Sequence, residues 1–142
     1  MTVIAWDGKT LAADKRAVAS GLISTTTKIR RIGDLLVGIA GNLSAGMEML
    51  EWIENGRERE KYPAVQQNDD RSCGCLVIDG GRILKYESGP IPLVFEQPFF
   101  AMGSGRDFAV AAMHCGKSAR EAVEIASLYE NGCGNGVDVL EA

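Results

Sequence analysis

Apolar and polar positions alternate with a period of two over residues 2–6 and again over 9–14. Val3 and Ala5 stand against Thr2, Ile4 and Trp6; Leu11 and Ala13 stand against Thr10, Ala12 and Asp14. That period puts successive side chains on opposite faces of a strand. Asp7-Gly8 between the runs offers the positive φ angles of a two-residue hairpin turn. Both faces are fairly apolar, so the hairpin suits a sheet covered on both sides. Its second strand leads into Asp14 and Arg16, which share a face. Residues 17–27 are small and hydroxyl-rich, which predicts a loop or short excursion outside the core. Residues 28–32 and 35–40 then form a second hairpin across Gly33-Asp34.

After Asn42 the period changes. Leu43, Met47, Leu50 and Ile53 recur at helical spacing with Trp52 beside them, and Asn55-Gly56 is a stop, so a helix is predicted over residues 43–55. Residues 57–72, with Tyr62-Pro63 and Gln66–Asp70, are polar and read as a surface connection, the least ordered segment of the chain. A third hairpin pairs residues 73–78 with 82–87 across Asp79-Gly80-Gly81. Gly89-Pro90-Ile91-Pro92 bends the chain before a short extended piece at 93–95, and Phe99–Met102 is a further strand. Two helices follow. Ser104 is placed to N-cap the first, with Phe108, Ala111, Ala112 and Cys115 as its buried stripe and Gly116 as its end. Ser118 with Glu121 is a capping box for the second, whose stripe is Ala122, Ile125, Ala126 and Tyr129. A brief strand, Val137–Leu140, closes the chain. Hairpins, a helix, more strands and a helix pair in that order predict a single α+β domain over residues 1–142. Its sheets are mainly antiparallel, two of them lying between helix layers.

Composition narrows the function. The chain has 142 residues, 46% hydrophobic and 24% charged, as an ordinary globular domain has. A net charge of −4 argues against a general nucleic-acid or anionic-membrane surface. Arg57, Arg59 and Lys61 alternate with Glu58 and Glu60 and make a locally neutral face. No apolar run approaches the roughly 20 residues of a membrane span, and the N-terminal stretch lacks a signal peptide's basic leader and apolar segment. A cytoplasmic location is therefore expected. Cys73, Cys75, Cys115 and Cys133 could form two disulfides or a zinc site. The Cys73-Gly74-Cys75 spacing is too tight for a zinc knuckle and His114 is the only histidine, so reduced, mostly buried thiols are expected.

The chemically suggestive residue is Thr2. If Met1 is removed, Thr2 carries both a hydroxyl and a free α-amine, and an α-amine with a pKa of about 8 can take the hydroxyl's proton near neutral pH. In motif order the chain resembles the proteasome β-subunits and HslV-type peptidases of the N-terminal-nucleophile (Ntn) hydrolase superfamily. The likeness rests on Thr2, Asp14-Lys15-Arg16, Lys28-Ile29, Gly38-Ile39-Ala40-Gly41, Gly103-Ser104-Gly105 and the glycine-rich turn around Cys133.

The resemblance implies a four-layer αββα sandwich, here with one helix layer reduced, because only residues 43–55 stand where the family has two long helices. It implies Thr2 as the nucleophile of a peptidase and Lys28 as the buried lysine that helps relay the proton. Asp14 is then that lysine's partner, Gly41 the backbone donor to the oxyanion and Ser104 the serine beside the amine. Arg16 would support this network. Glu130 and Cys133 are the nearest matches to the acid and serine that orient the amine, with Asn131 competing for the acidic place. In HslV-type relatives the carbonyls of that turn hold a cation, so a structural cation at Glu130–Cys133 is a further implication; no other cofactor or metal is expected. The resemblance also implies a homo-oligomeric ring, with helix 43–55 and Trp52 buried against neighbours, peptide or unfolded-protein substrates and an ATP-dependent unfoldase partner. Rival readings are a catalytically silent ring or assembly protein, an amidase acting on a small molecule, and a metal-binding module built on the cysteines.

Overall fold

The computed structural model describes residues 1–64 and 71–142. Strands β1 (Ile4–Trp6) and β2 (Thr10–Asp14) form the opening hairpin, Ile4 opposite Ala13 and Trp6 opposite Leu11. The turn sits one residue later than its sequence suggests. Asp7 N donates to Thr10 O at 3.2 Å, so Gly8 and Lys9 are the central pair, and Gly8 takes a φ of 97°. The Asp7 side chain causes this, because its Oδ1 accepts from Lys9 N at 2.9 Å and Thr10 N at 2.8 Å, which makes aspartate the first corner of the turn.

Residues 17–27 make the short excursion outside the core, and not as a loop. They contribute to a two-stranded hairpin, β3 (Arg16–Ala19) with β4 (Leu22–Thr25), outside both main sheets. Ser20 and Gly21 both adopt positive φ, 51° and 78°, the geometry that lets a two-residue turn follow strand twist. The second and third hairpins fold as their alternation predicts. β5 (Ile29–Ile32), β6 (Leu35–Gly41), β7 (Cys73–Asp79), β8 (Arg82–Tyr86) and β9 (Leu93–Phe95) make one antiparallel sheet in sequence order. β10 (Phe100–Met102) joins β1, and after helices α1 (Leu43–Glu54), α2 (Arg106–His114) and α3 (Ala119–Tyr129) the last strand, β11 (Val137–Glu141), joins β2. The other sheet therefore runs β10-β1-β2-β11.

The alternation along β1 separates the layers. Ile4 and Trp6 point between the sheets with Leu11, Ile29, Leu36, Leu76, Ile83 and Met102. Val3 and Ala5 point outward to α2 and α3. On the far side α1 covers Val37, Ile39, Val77, Leu84 and Tyr86. This is the four-layer sandwich, with α1 the long helix of its layer among the described residues. Cys73 and Cys75 share one face of β7 and are buried under α1, as their spacing predicts, whereas Cys115 is exposed.

Each helix is turned from its expected phase. Leu43 and Met47 are exposed, and Ala45, Gly46 and Met49 face the sheet with Leu50 and Ile53. Small residues line the contact because α1 lies close: a Cβ on Gly46 would come 2.6 Å from Ile39 Cδ1. In α2 the buried positions are Ala109, Ala112 and Met113, leaving Phe108 and Cys115 exposed; in α3 they are Ala119, Ala122, Val123 and Ala126, leaving Tyr129 exposed. Trp52 is covered by its own chain rather than left for a neighbour. Its indole donates to Glu58 O at 2.7 Å, and the rings of Tyr62 and Tyr86 meet it edge-on. The polar connection thus packs back on α1, with Arg59–Lys61 making a 3-10 turn. Of the connection expected to be least ordered, 57–72, residues 65–70 lie outside the described residues.

Candidate active site

Asp14 ends β2 with no solvent exposure, and a buried carboxylate is tolerable only when its lone pairs are filled. They are. Oδ1 accepts from Val3 N at 3.0 Å and Lys28 Nζ at 2.9 Å, and Oδ2 accepts from Arg16 N at 3.2 Å and Gly134 N at 3.1 Å. Lys28, just before β5, is 5% exposed and sends a second bond, 3.1 Å long, from Nζ to the carbonyl of the Met1–Thr2 peptide. The lysine ammonium is thereby fixed beside the threonine nitrogen by an ion pair beneath it.

Ser104 does not cap α2. The N-cap of α2 is Gly105, which makes no side-chain bond, because the Ser104 hydroxyl is committed elsewhere. Ser104 Oγ accepts from Thr2 N at 3.1 Å and donates to Thr2 O at 3.3 Å, and Gly105 N also donates to Thr2 O. Gly103 is needed for this approach: it has a φ of 93°, and a Cβ there would overlap the Thr2 carbonyl. Beside Ser104 lies Cys133, buried, its Sγ 3.9 Å from the serine oxygen. Burial, and then the charge of Asp14, push the Cys133 thiol up, against the opposing pulls of Ser104 and Lys28. Such a thiol is neutral near pH 7 and serves as a weak polar neighbour, not as a thiolate nucleophile.

Arg16 supports the network by its backbone, through Asp14, while its guanidinium donates to Asn131 O at 2.8 Å and Asn135 Oδ1 at 3.1 Å. It stitches β3 to the glycine-rich turn, where a Cβ on Gly134 would come 2.7 Å from Arg16 Nη2. Glu130 is apart from the rest. Its Oε1 accepts from Gly132 N at 3.2 Å, so its carboxylate closes its own turn instead of meeting Thr2 N. Within this turn Asn131 O accepts from Arg16 Nη1 and Glu130 O accepts from Cys133 N at 3.0 Å. Among the described residues no group of three or more His, Cys, Asp or Glu side chains could hold a metal.

Gly41, at the end of β6, has a φ of 108°, and a Cβ would stand 2.5 Å from Ser72 O. It lies where two cavities meet at Thr2. One, of about 260 Å³, is lined by Arg16–Ala19, Lys28 and Ile39–Leu43; the other, of about 460 Å³, by Gly74, Lys85, Phe100–Ser104 and Arg106. Met1, Thr2, Ala40 and Gly41 border both. Thr2, Asp14, Lys28, Ser104 and Cys133 thus come together, Gly41 faces the same space and Arg16 braces it. The sequence placed Gly103 in a motif without giving it a role, and Gly134 and Asn135 had no signal beyond the glycine density of their turn. While Met1 is attached, Thr2 N is an amide whose lone pair is delocalised, so it donates but cannot serve as a base. The Met1 side chain rests on Gly132, where a Cβ would collide with it.

Helix layers outside two facing antiparallel sheets, with the chain's first strand central in one sheet and a threonine at its mouth, define the Ntn-hydrolase class of fold. No protein-family model matches the sequence, and no curated protein matches it. Solved structures do share the fold. Thiobacillus denitrificans BPH in complex with epoxomicin superposes with a TM-score of 0.74 at 20% identity, covering 100% of this chain and 98% of that one. Eukaryotic HslV from Trypanosoma brucei gives 0.72 at 21%, over 99% and 97%. Thiobacillus denitrificans BPH gives 0.66 at 22%, over 99% and 96%. The fold is therefore the HslV-like Ntn-hydrolase fold.

Proposed function

We propose that this chain is a threonine peptidase subunit that hydrolyses peptide bonds with Thr2 after Met1 is removed. The observation that carries the reading is the buried Lys28–Asp14 pair, 2.9 Å apart, set against the Met1–Thr2 peptide. An ion pair buried this deeply offers little net stability over an apolar pair. Its placement beside a hydroxyl-bearing residue that can become N-terminal has a chemical rationale.

In the proposed reaction the free α-amine of Thr2 takes the proton of its own hydroxyl as Oγ bonds to the substrate carbonyl carbon. The oxyanion faces the Gly41 N–H, a kind of donor whose loss costs about 10²–10³ in rate. The C–N bond then breaks, the leaving nitrogen takes the proton from the Thr2 ammonium, and an ester remains on Oγ. Water attacks the ester with the amine again as base, releasing the acid and restoring the hydroxyl. Lys28 holds positive charge beside the amine, which disfavours protonating it; Asp14 holds Lys28, and Ser104 Oγ orients the amine. Cavities on both sides of Thr2 favour an extended peptide over a small amide. By analogy with HslV-type peptidases, the proposal extends to an ATP-driven unfoldase partner that would deliver unfolded chains.

Self-assembly belongs to the same proposal. It is supported by an apolar cleft of about 510 Å³ between α2 and α3, where the exposed rings of Phe108 and Tyr129 stack at 5.8 Å.

The test is covalent capture. Met1-free protein incubated with a peptide epoxyketone should gain one adduct mass, mapped to Thr2, and Thr2→Ala should gain none while keeping its fold. Unlabelled wild type, with Met1 shown by intact mass to be gone, would favour a catalytically silent assembly protein.

A further inference from the structure

Lys85 stands where the pattern of its strand asks for an apolar side chain. In β8 it shares a face with Ile83 and pairs with Leu76, both members of the layer between the sheets. Its side chain is 23% exposed. The stem passes over Gly74, where a Cβ would come 3.6 Å from Lys85 Cε and 2.9 Å from Met102 Cε; a side chain at 74 would crowd that path. Lys85 lines the larger cavity beside Thr2, with its Nζ 2.8 Å from Glu87 Oε1.

Arg106 lines the same cavity from the first turn of α2, and its Nη1 donates to Gly103 O at 3.0 Å, next to the serine that holds Thr2 N. A cation in the first turn opposes the helix dipole, so helix stability does not explain the arginine there. The lining includes both cations and no carboxylate; their partners Glu87 and Asp107 stand outside it. Phe100 and Met102 supply apolar surface between them.

Thr2 borders both cavities, and the proton's route favours the larger one for the leaving half of a substrate. The leaving nitrogen must receive its proton from Thr2 N, which is on Ser104 Oγ. Ser104 lines the larger cavity, whereas the smaller one is lined by Lys28 and the 16–19 strand. We propose that the larger cavity receives the leaving-group half of the substrate, and that Lys85 and Arg106 select a carboxylate within it. This rests on the peptidase reading above. The carboxylate could be an Asp or Glu side chain just after the cut, or the C-terminus of a short leaving peptide.

Met1-free protein digesting a peptide library, with products read by mass spectrometry, should cut several-fold more often ahead of Asp or Glu. Matched peptides ending in a free acid or an amide separate the two sources. The ratio of kcat/KM for acidic over neutral leaving peptides should be about tenfold in wild type, the order expected of two partly exposed ion pairs acting together. It should fall towards one in Lys85→Met and in Arg106→Gln, and below one in Lys85→Glu/Arg106→Glu, which should prefer basic leaving peptides. Arg106→Gln removes a charge at an exposed helix start and keeps the test usable should a Lys85 variant fold poorly. A wild-type ratio near one, or a ratio that neither substitution moves, overturns the proposal. Epoxyketone labelling of the same samples tells the failures apart: a Thr2 adduct without acidic preference overturns this inference alone, and no adduct overturns the peptidase reading with it.

Discussion

Asp14 accepts four hydrogen bonds with one carboxylate, three from backbone amides and one from Lys28. Asp14→Ala therefore strands an ammonium and several donors where water does not reach, and breaking such a pair costs about 3–5 kcal/mol. Urea denaturation of the unlabelled protein should show that loss, along with loss of epoxyketone labelling. Asp14 and Lys28 were legible beforehand because they are charged residues at fitting places in a recognisable order. Gly134 was not, because it contributes only a backbone N–H, which every residue but proline has. Only the capping role of Ser104 was misread, for a related reason: its hydroxyl suited a nearby helix start, and it was the resemblance, not the spacing, that set it beside the nitrogen of Thr2, 102 positions earlier.

Among the elements, Asp7 connects the opening hairpin to α3. While Oδ1 shapes the turn, Oδ2 accepts from Ala119 N at 2.8 Å, placing a negative charge at the helix start. Asp7→Ala should lower stability by about 1–2 kcal/mol, as loss of a good cap does, and thermal unfolding should register it as a Tm lower by several degrees. The hairpins could be read from the sequence because a two-residue alternation bounded by Gly and Asp admits few other structures. Helix faces could not, because the sequence shows large apolar residues most plainly, whereas these helices turn alanine and glycine to the sheet at close range. The 16–25 hairpin was hidden by its small, hydroxyl-rich composition, though its Ser20-Gly21 turn held the clue.

Across the whole molecule, that choice of small residues leaves large ones outside. Phe108, Leu128 and Tyr129 are exposed on the α2–α3 side around an apolar cleft, the kind of surface that marks an interaction site. Light scattering on the wild type should show a discrete assembly of several copies, and Phe108→Glu/Tyr129→Glu should shift it towards single chains. A monodisperse wild-type monomer would sink the assembly proposal. The domain class and layer order were legible from the succession of elements, while the surface available for assembly became visible only once the helix phases were known.

The fourth donor to Asp14 comes from 120 positions further along the chain, and β11 pairs with the strand that Asp14 ends. Contacts so distant in sequence form only after the intervening chain has been ordered. During synthesis, then, a ribosome-bound chain already displays Thr2 and Lys28 while their shared anchor is incomplete. The proposed nucleophile would acquire its setting only when the last strand docks, so a half-made molecule could not cleave its neighbours or itself. The timing of activity would be written into the connectivity of one carboxylate.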